Sequence, residues 1–348
     1  MVTAELAALG LDFSFQQQLL ADDLSLVVPV RVMNVQRSGL QITGDGLDRH
    51  IELTGNDYEL DLTVGDWVMF DMGRQRLLRR LDRKSLFSRR APGSDRREQM
   101  IAANIDTLFI VSSCNNDFNE ARLERYLAIA REAQVMAVIL LTKADLADDP
   151  QTYVQRASRL APAVQVEAVN ALRSEELDCL KPWLKSGQTI ALLGSSGVGK
   201  STLTNTLLGL EEIATRAIRE DDARGRHTTT SRSMHQLSTG AWLLDTPGMR
   251  ELQLTGVKTG LDDVFEEISR LADNCRFSDC SHANEPGCRV SKALATGEIE
   301  QDRFDRWCKL VKEEAFNSAS IAERKARDKG FGRMIKQVIS EKKAKRNN

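Results

Sequence analysis

Nine residues, Gly194-Ser195-Ser196-Gly197-Val198-Gly199-Lys200-Ser201-Thr202, stand between the apolar run TIALL and a helical pattern. Their Gly-x4-Gly-Lys-Ser spacing, strand before and helix after, is that of a loop that wraps backbone amides around phosphate oxygens. Glycines allow the close approach, the helix N-terminus favours negative charge, and Lys200 neutralises the β- and γ-phosphates. Ser201 is the expected magnesium ligand. Asp245-Thr246-Pro247-Gly248 follows the strand-like AWLL. Its carboxylate suits a magnesium-bound water, and its glycine amide suits sensing of a γ-phosphate. Between the two motifs, DDARGRHTTTSR supplies Thr228, Thr229 and Thr230, of which Thr229 is the expected second hydroxyl on magnesium.

The base is read elsewhere. Thr142-Lys143-Ala144-Asp145 closes the run AVILL and matches the guanine-reading [N/T]-K-x-D signature. A carboxylate at Asp145 accepts from guanine N1–H and the 2-amino group, a donor pair adenine lacks. Lys143 is expected to pack over the base. Asn170-Ala171, after VQVEAV, stands where a Ser-Ala pair usually offers an amide to guanine O6. The order is unusual: base-reading residues at 142 and 170, then the phosphate loop at 194, threonines near 229 and Asp245 last. That is a circular permutation, which keeps a site intact in space while moving the chain ends.

Cys275-x4-Cys280-x-His282-x5-Cys288 offers three thiolates and one imidazole. That set fills a tetrahedral zinc and leaves no position for a catalytic water, so one structural zinc is expected. Cys114, Cys179 and Cys308 are scattered and read as packing residues.

These motifs need elements to hold them. At 348 residues the chain is long enough for two or three domains. Leu26 to Leu78 shows short β-rich runs separated by turn signals, predicting an OB-like barrel, with an SH3-like barrel or generic sandwich as alternatives. From Ile105, apolar strands alternate with helical segments, the pattern of a doubly wound α/β sheet. The expected division is a polar leader at 1–25, the barrel at 26–85, a basic linker at 86–104, a nucleotide-binding domain at 105–272, a mainly helical zinc-binding domain at 273–318 and a basic tail at 319–348. The net charge of -2 conceals ten Lys/Arg between Arg74 and Arg97 and ten more between Ile321 and Asn348. Both stretches suit polyanions, although the tail reads equally as a solvated charged segment. No secretory start and no membrane-length apolar run is present, and cysteine usage fits a reducing cytoplasm.

The barrel, TKAD ahead of GSSGVGKST, the GRHTTT loop, DTPG and the C-x4-C-x-H-x5-C segment together resemble the RsgA family, small-ribosomal-subunit-dependent GTPases of the circularly permuted TRAFAC class. The resemblance spans roughly Leu26 to Glu314. It implies an OB-fold that binds ribosomal RNA, GTP hydrolysis stimulated by the small subunit, and a role in late small-subunit maturation with other assembly factors as a further partner class. It also implies that His227, in GRHTTT, positions the attacking water. The residue after DTPG is Met249, which cannot orient water, so another group must do so. A nucleotide-gated RNA-binding module and a signalling GTPase with a protein partner are the competing readings. No feature demands a dimer, so a monomer is expected.

Overall fold

The computed structural model describes residues 3–19, 26–36, 38–90, 98–209, 232–245, 255–283 and 285–318. His227, Thr229 and Gly248 lie outside these residues. The side chain of Asp245 is not among those described. By Cα proximity the chain forms two compact units, Met1–Leu252 with Asp262–Val264, and Gln253–Leu261 with Phe265–Asn348. No helix among the described residues is long and apolar enough to cross a membrane.

In the first unit, five strands that each carry apolar residues follow one another: β1 (Val27–Gln36), β2 (Gly39–Gly44), β3 (Leu47–Ile51), β4 (Trp67–Asp71) and β5 (Arg76–Arg80), with β4 buried along Trp67, Val68, Met69 and Phe70. They pair antiparallel in the order β3-β2-β1-β4-β5, the expected barrel-like sheet. Its core is Val30, Val32, Leu40, Ile42, Leu47, Val68, Phe70 and Leu77.

Two short helices stand where a polar leader is expected. The first, α1 (Ala4–Ala8), is capped by Thr3 and the second, α2 (Phe13–Gln17), by Asp12. They bury Leu6 and Phe15, the turn between them buries Leu9 and Leu11, and the Phe15 ring lies 6.0 Å from that of Trp67. Five-residue helices are too short for an apolar period to declare itself. Similarly, the expected basic linker carries an antiparallel ribbon of β6 (Leu86–Arg90) and β7 (Glu98–Ala103), which buries Phe87, Ile101 and Ala102.

The doubly wound sheet holds β8 (Thr107–Ser113), β9 (Met136–Thr142), β10 (Gln165–Ala168), β11 (Thr189–Leu193) and β13 (Trp242–Asp245), parallel in the order β10-β9-β8-β11-β13. Parallel neighbours need long crossovers. Here these include α3 (Glu120–Glu132) and α4 (Pro150–Leu160), and a further helix, α5 (Lys200–Leu208), leaves the end of β11. The chain runs outward through β8, β9 and β10, then returns to lay β11 on the other side of β8. That reversal leaves a crevice at the carboxyl ends of β8 and β11, where open α/β sheets bind ligands. β12 (Arg232–Gln236) pairs antiparallel with β13 and, on its other edge, with β1 through Asn34↔Ser233 and Val35↔Arg232. Barrel and nucleotide-binding sheet are thereby one eleven-stranded surface.

Arg31 is fully buried within this unit. It donates to Leu9 O, to Asn104 O at 3.4 Å and to Thr189 Oγ1 at 2.7 Å. Burial pulls its pKa down to about 10 against the opposing pull of Asp106, Asp12 and Asp66.

The second unit is helical, with helices at Glu266–Asp273, Arg289–Thr296 and Gln301–Ser318. Phe265, Ile268, Val290, Ala293 and Leu310 are among its buried residues.

Candidate functional site

The phosphate loop joins β11 to α5 at the crevice. A Cβ on Gly194 would collide with the Val111 carbonyl, and Gly199 has φ +96° with Thr142 against it, so both positions require glycine. Lys200 is buried, and its Nζ donates to Gly194 O at 2.8 Å and to Ser195 O. The lysine therefore rests on the carbonyls of its own loop. Ser201 and Thr202 form the first turn of α5. Asp245 ends β13, whose register against β11 brings the backbone of this residue to the same carboxyl edge.

Thr142 ends β9 and is buried. Its single hydroxyl proton has two carbonyls in reach, Val198 O at 2.5 Å and Ser112 O at 3.0 Å. The first residue of the Thr142–Asp145 motif is thus a strut against the loop from Gly194 to Lys200. Lys143 then adopts the left-handed conformation, φ 59°, uncommon for a non-glycine residue and typical of functional turns. Ala144 and Asp145 follow in a single 3-10 turn, with Asp145 exposed.

The Asn170-Ala171 loop lies beside this turn. Val169 O accepts from the Ala144 amide at 3.4 Å, and the Asn170 amide donates to the Glu176 carboxylate at 3.1 Å. Asn170 O accepts from the Arg173 amide at 3.2 Å, and Asn170 Oδ1 from the Leu172 amide at 3.0 Å. The asparagine that replaces the usual serine therefore closes the turn with its own side chain. Between these, the Ala171 amide makes no hydrogen bond to a described residue.

Three contributors carried no signal at the motif level. Arg122 Nη1, from α3, donates to Ser195 Oγ at 2.9 Å. Thr206 Oγ1, from α5, donates to Ala171 O at 2.6 Å. Glu176 comes from the 3-10 segment Ser174–Trp183.

In the second unit, Cys275, Cys280, His282 and Cys288 bring their ligand atoms within 4.8 Å of one another. Cys275 Sγ and Cys288 Sγ are 3.8 Å apart, and each lies 3.6 Å from His282 Nδ1. Tetrahedral zinc with its usual bond lengths requires about 3.8 Å between sulfurs and about 3.6 Å from sulfur to nitrogen. The donor set therefore fits a metal of that size. Backbone amides support the sulfurs: Ser291 N–H donates to Cys288 Sγ at 3.3 Å, and Arg289 N–H to Cys275 Sγ at 3.4 Å. Burial pushes the Cys288 thiol up. Hydrogen bonds from the Ser291 hydroxyl and amide and from His282 outweigh it and bring the pKa to about 6, toward the thiolate that a metal needs. The Trp307 ring lies 5.6 Å from the His282 ring, tilted by 48° against it.

The model of the RsgA GTPase family matches residues 80–255. The small ribosomal subunit biogenesis GTPase RsgA 2 of Vibrio parahaemolyticus is 48% identical over 339 residues, covering 97% of this chain and 94% of that protein. The small ribosomal subunit biogenesis GTPase RsgA of Mesorhizobium japonicum is 48% identical over 320 residues, covering 90% and 91%. Among solved structures, YjeQ from Thermotoga maritima aligns with a TM-score of 0.60 at 21% identity over 83% of this chain and 98% of its own. YloQ, a circularly permuted GTPase, aligns with 0.56 at 21% identity over 85% and 98%. The fold, the permuted strand order and identity across nearly the whole chain lead to one assignment: this chain belongs to the RsgA GTPase family.

Proposed function

We propose that this chain hydrolyses GTP in the biogenesis of the small ribosomal subunit, and that nucleotide state controls its hold on the particle and its ribosomal RNA. One observation carries the reading: the Thr142 hydroxyl donates to Val198 O, so the base-reading turn and the phosphate loop are built as one site. Asp145 accepts from the guanine edge, Lys143 packs over the base and the Ala171 amide meets O6. The loop from Gly194 to Thr202 holds the phosphates, Lys200 leaving its carbonyls for phosphate oxygens. Ser201, Thr229 and Asp245 would hold Mg2+, which supplies charge neutralisation at the β- and γ-phosphates. His227 orients the attacking water, so catalysis is positioning and charge stabilisation with slow intrinsic turnover. The Cys275, Cys280, His282 and Cys288 set holds one structural zinc. The barrel-like sheet and the basic stretches face RNA, other assembly factors share the particle, and the protein works as a cytoplasmic monomer.

The test is steady-state GTP hydrolysis by the purified protein alone, with small subunits and with large subunits, using Lys200→Ala as the blank. Stimulation by small subunits alone is expected. Equal rates with either particle would leave a GTPase without the ribosomal role.

A further inference from the structure

The peptide groups around Ala171 are held from several directions. On the amide side of the 171–172 peptide, Leu172 N–H is tied to Asn170 Oδ1. On its carbonyl side, Ala171 O accepts from Thr206 Oγ1 at 2.6 Å. The preceding peptide is fixed by Arg173 N–H on Asn170 O. What remains is the Ala171 N–H, the loop donor left for a ligand.

Thr206 sits on α5, six residues beyond Lys200. It has one hydroxyl proton and a second acceptor in reach, Thr202 O at 3.1 Å. A threonine inside a helix ordinarily bonds back to that carbonyl four residues earlier. Here the shorter contact crosses from the helix to the base-reading loop. Such a bond does little for α5 itself. It fixes the position of a peptide whose neighbouring amide must meet an acceptor.

We propose that Thr206 is a specificity-positioning residue: by pinning Ala171 O it aims the Ala171 N–H at guanine O6. It also ties the base-reading loop to the helix that carries the phosphate loop. The proposal rests on the reading of Ala171 as the O6 donor. Adenine carries an amino donor at this position, so a rigid N–H there opposes adenine as well as favouring guanine. A loosened loop would let the amide turn away and lose that discrimination.

The test compares binding of GTP and 6-thio-GTP, which keeps N1–H and the 2-amino group but replaces O6 with a poor acceptor. Wild type, Thr206→Val, Thr206→Ala and Thr206→Ser are measured by equilibrium titration, with thermal unfolding of each recorded. Wild type is expected to prefer GTP. Thr206→Val and Thr206→Ala are expected to weaken GTP binding about three- to tenfold, to leave 6-thio-GTP nearly unchanged, and so to erase the preference. Thr206→Ser restores it. Equal weakening of both nucleotides would show a merely structural threonine, and an undiminished preference would show no role; either overturns the proposal. A wild type that binds both nucleotides equally would instead remove the O6 reading of Ala171, whatever the variants do.

Discussion

Arg122 and Lys200 meet on one residue: the guanidinium donates to Ser195 Oγ at 2.9 Å, and the ammonium donates to the Ser195 carbonyl. Two cations share a serine at the opening of the Gly194–Thr202 loop, an arrangement that a bound phosphate would relieve. Arg122→Ala is therefore expected to raise KM for GTP about three- to tenfold with little change in kcat. Ser195→Ala should reproduce it, and the double variant should be no worse than either single one. Steady-state kinetics of all three decide the matter, since additive losses would mean that Arg122 does not act through Ser195.

With Asp145 reading the base as proposed, Asp145→Asn would exchange an acceptor for a donor opposite the guanine 2-amino group. The loss for GTP is expected to exceed a hundredfold in KM, because the 2-amino group then loses its acceptor and faces a second donor. Xanthosine triphosphate, with a carbonyl at that position, should gain in the same variant. Measuring KM for both nucleotides on both proteins checks the crossover, and a parallel loss would place Asp145 away from the base.

Metal analysis of the purified protein should return one zinc per chain. Chelation, or Cys280→Ser, is expected to release it and to remove hydrogen-exchange protection from Arg289–Thr296, whose N-cap is Cys288 of the donor set. The binding energy at stake is on the order of 10 kcal/mol. Protection that survives metal loss would show that the helices hold without it.

Arg31→Met removes a fully buried cation and leaves Leu9 O, Asn104 O and Thr189 Oγ1 without that donor. Denaturant unfolding should show a loss of about 3 kcal/mol. A gain would mean that the cost of burying the charge outweighs its hydrogen bonds.

Legibility followed distance along the chain. The Gly194 to Ser201 loop, the Thr142 to Asp145 turn and the Cys275 to Cys288 segment each encode their chemistry in a few adjacent residues, and spacing alone exposed them. Arg122 lies 73 positions from Ser195, and Thr206 lies 35 from Ala171. A donor on one helix and an acceptor on another loop leave no periodicity to read, so only the fold unites them. Thr142 is an intermediate case: its motif was visible, but its hydroxyl turned out to brace the loop at Val198. The segment holding the helices Ala4–Ala8 and Phe13–Gln17 reads as polar and only weakly helical, because its order comes from packing against residues such as Trp67. At 86–104, the arginines and the short apolar stretches around Phe87 and Ile101 left no strand period to read.

The β1–β12 seam has a consequence for synthesis. Val35 must wait for Arg232, almost the length of the first unit later, before its strand edge is covered. Strands β1 to β5 and β8 to β11 can pair as they emerge, yet β1 and β11 each keep an open edge until the chain beyond α5 arrives. Closing so distant a pairing is slow, and open edges invite pairing with the wrong chain. The nascent protein is thus most vulnerable to aggregation during translation of the stretch between β11 and β12.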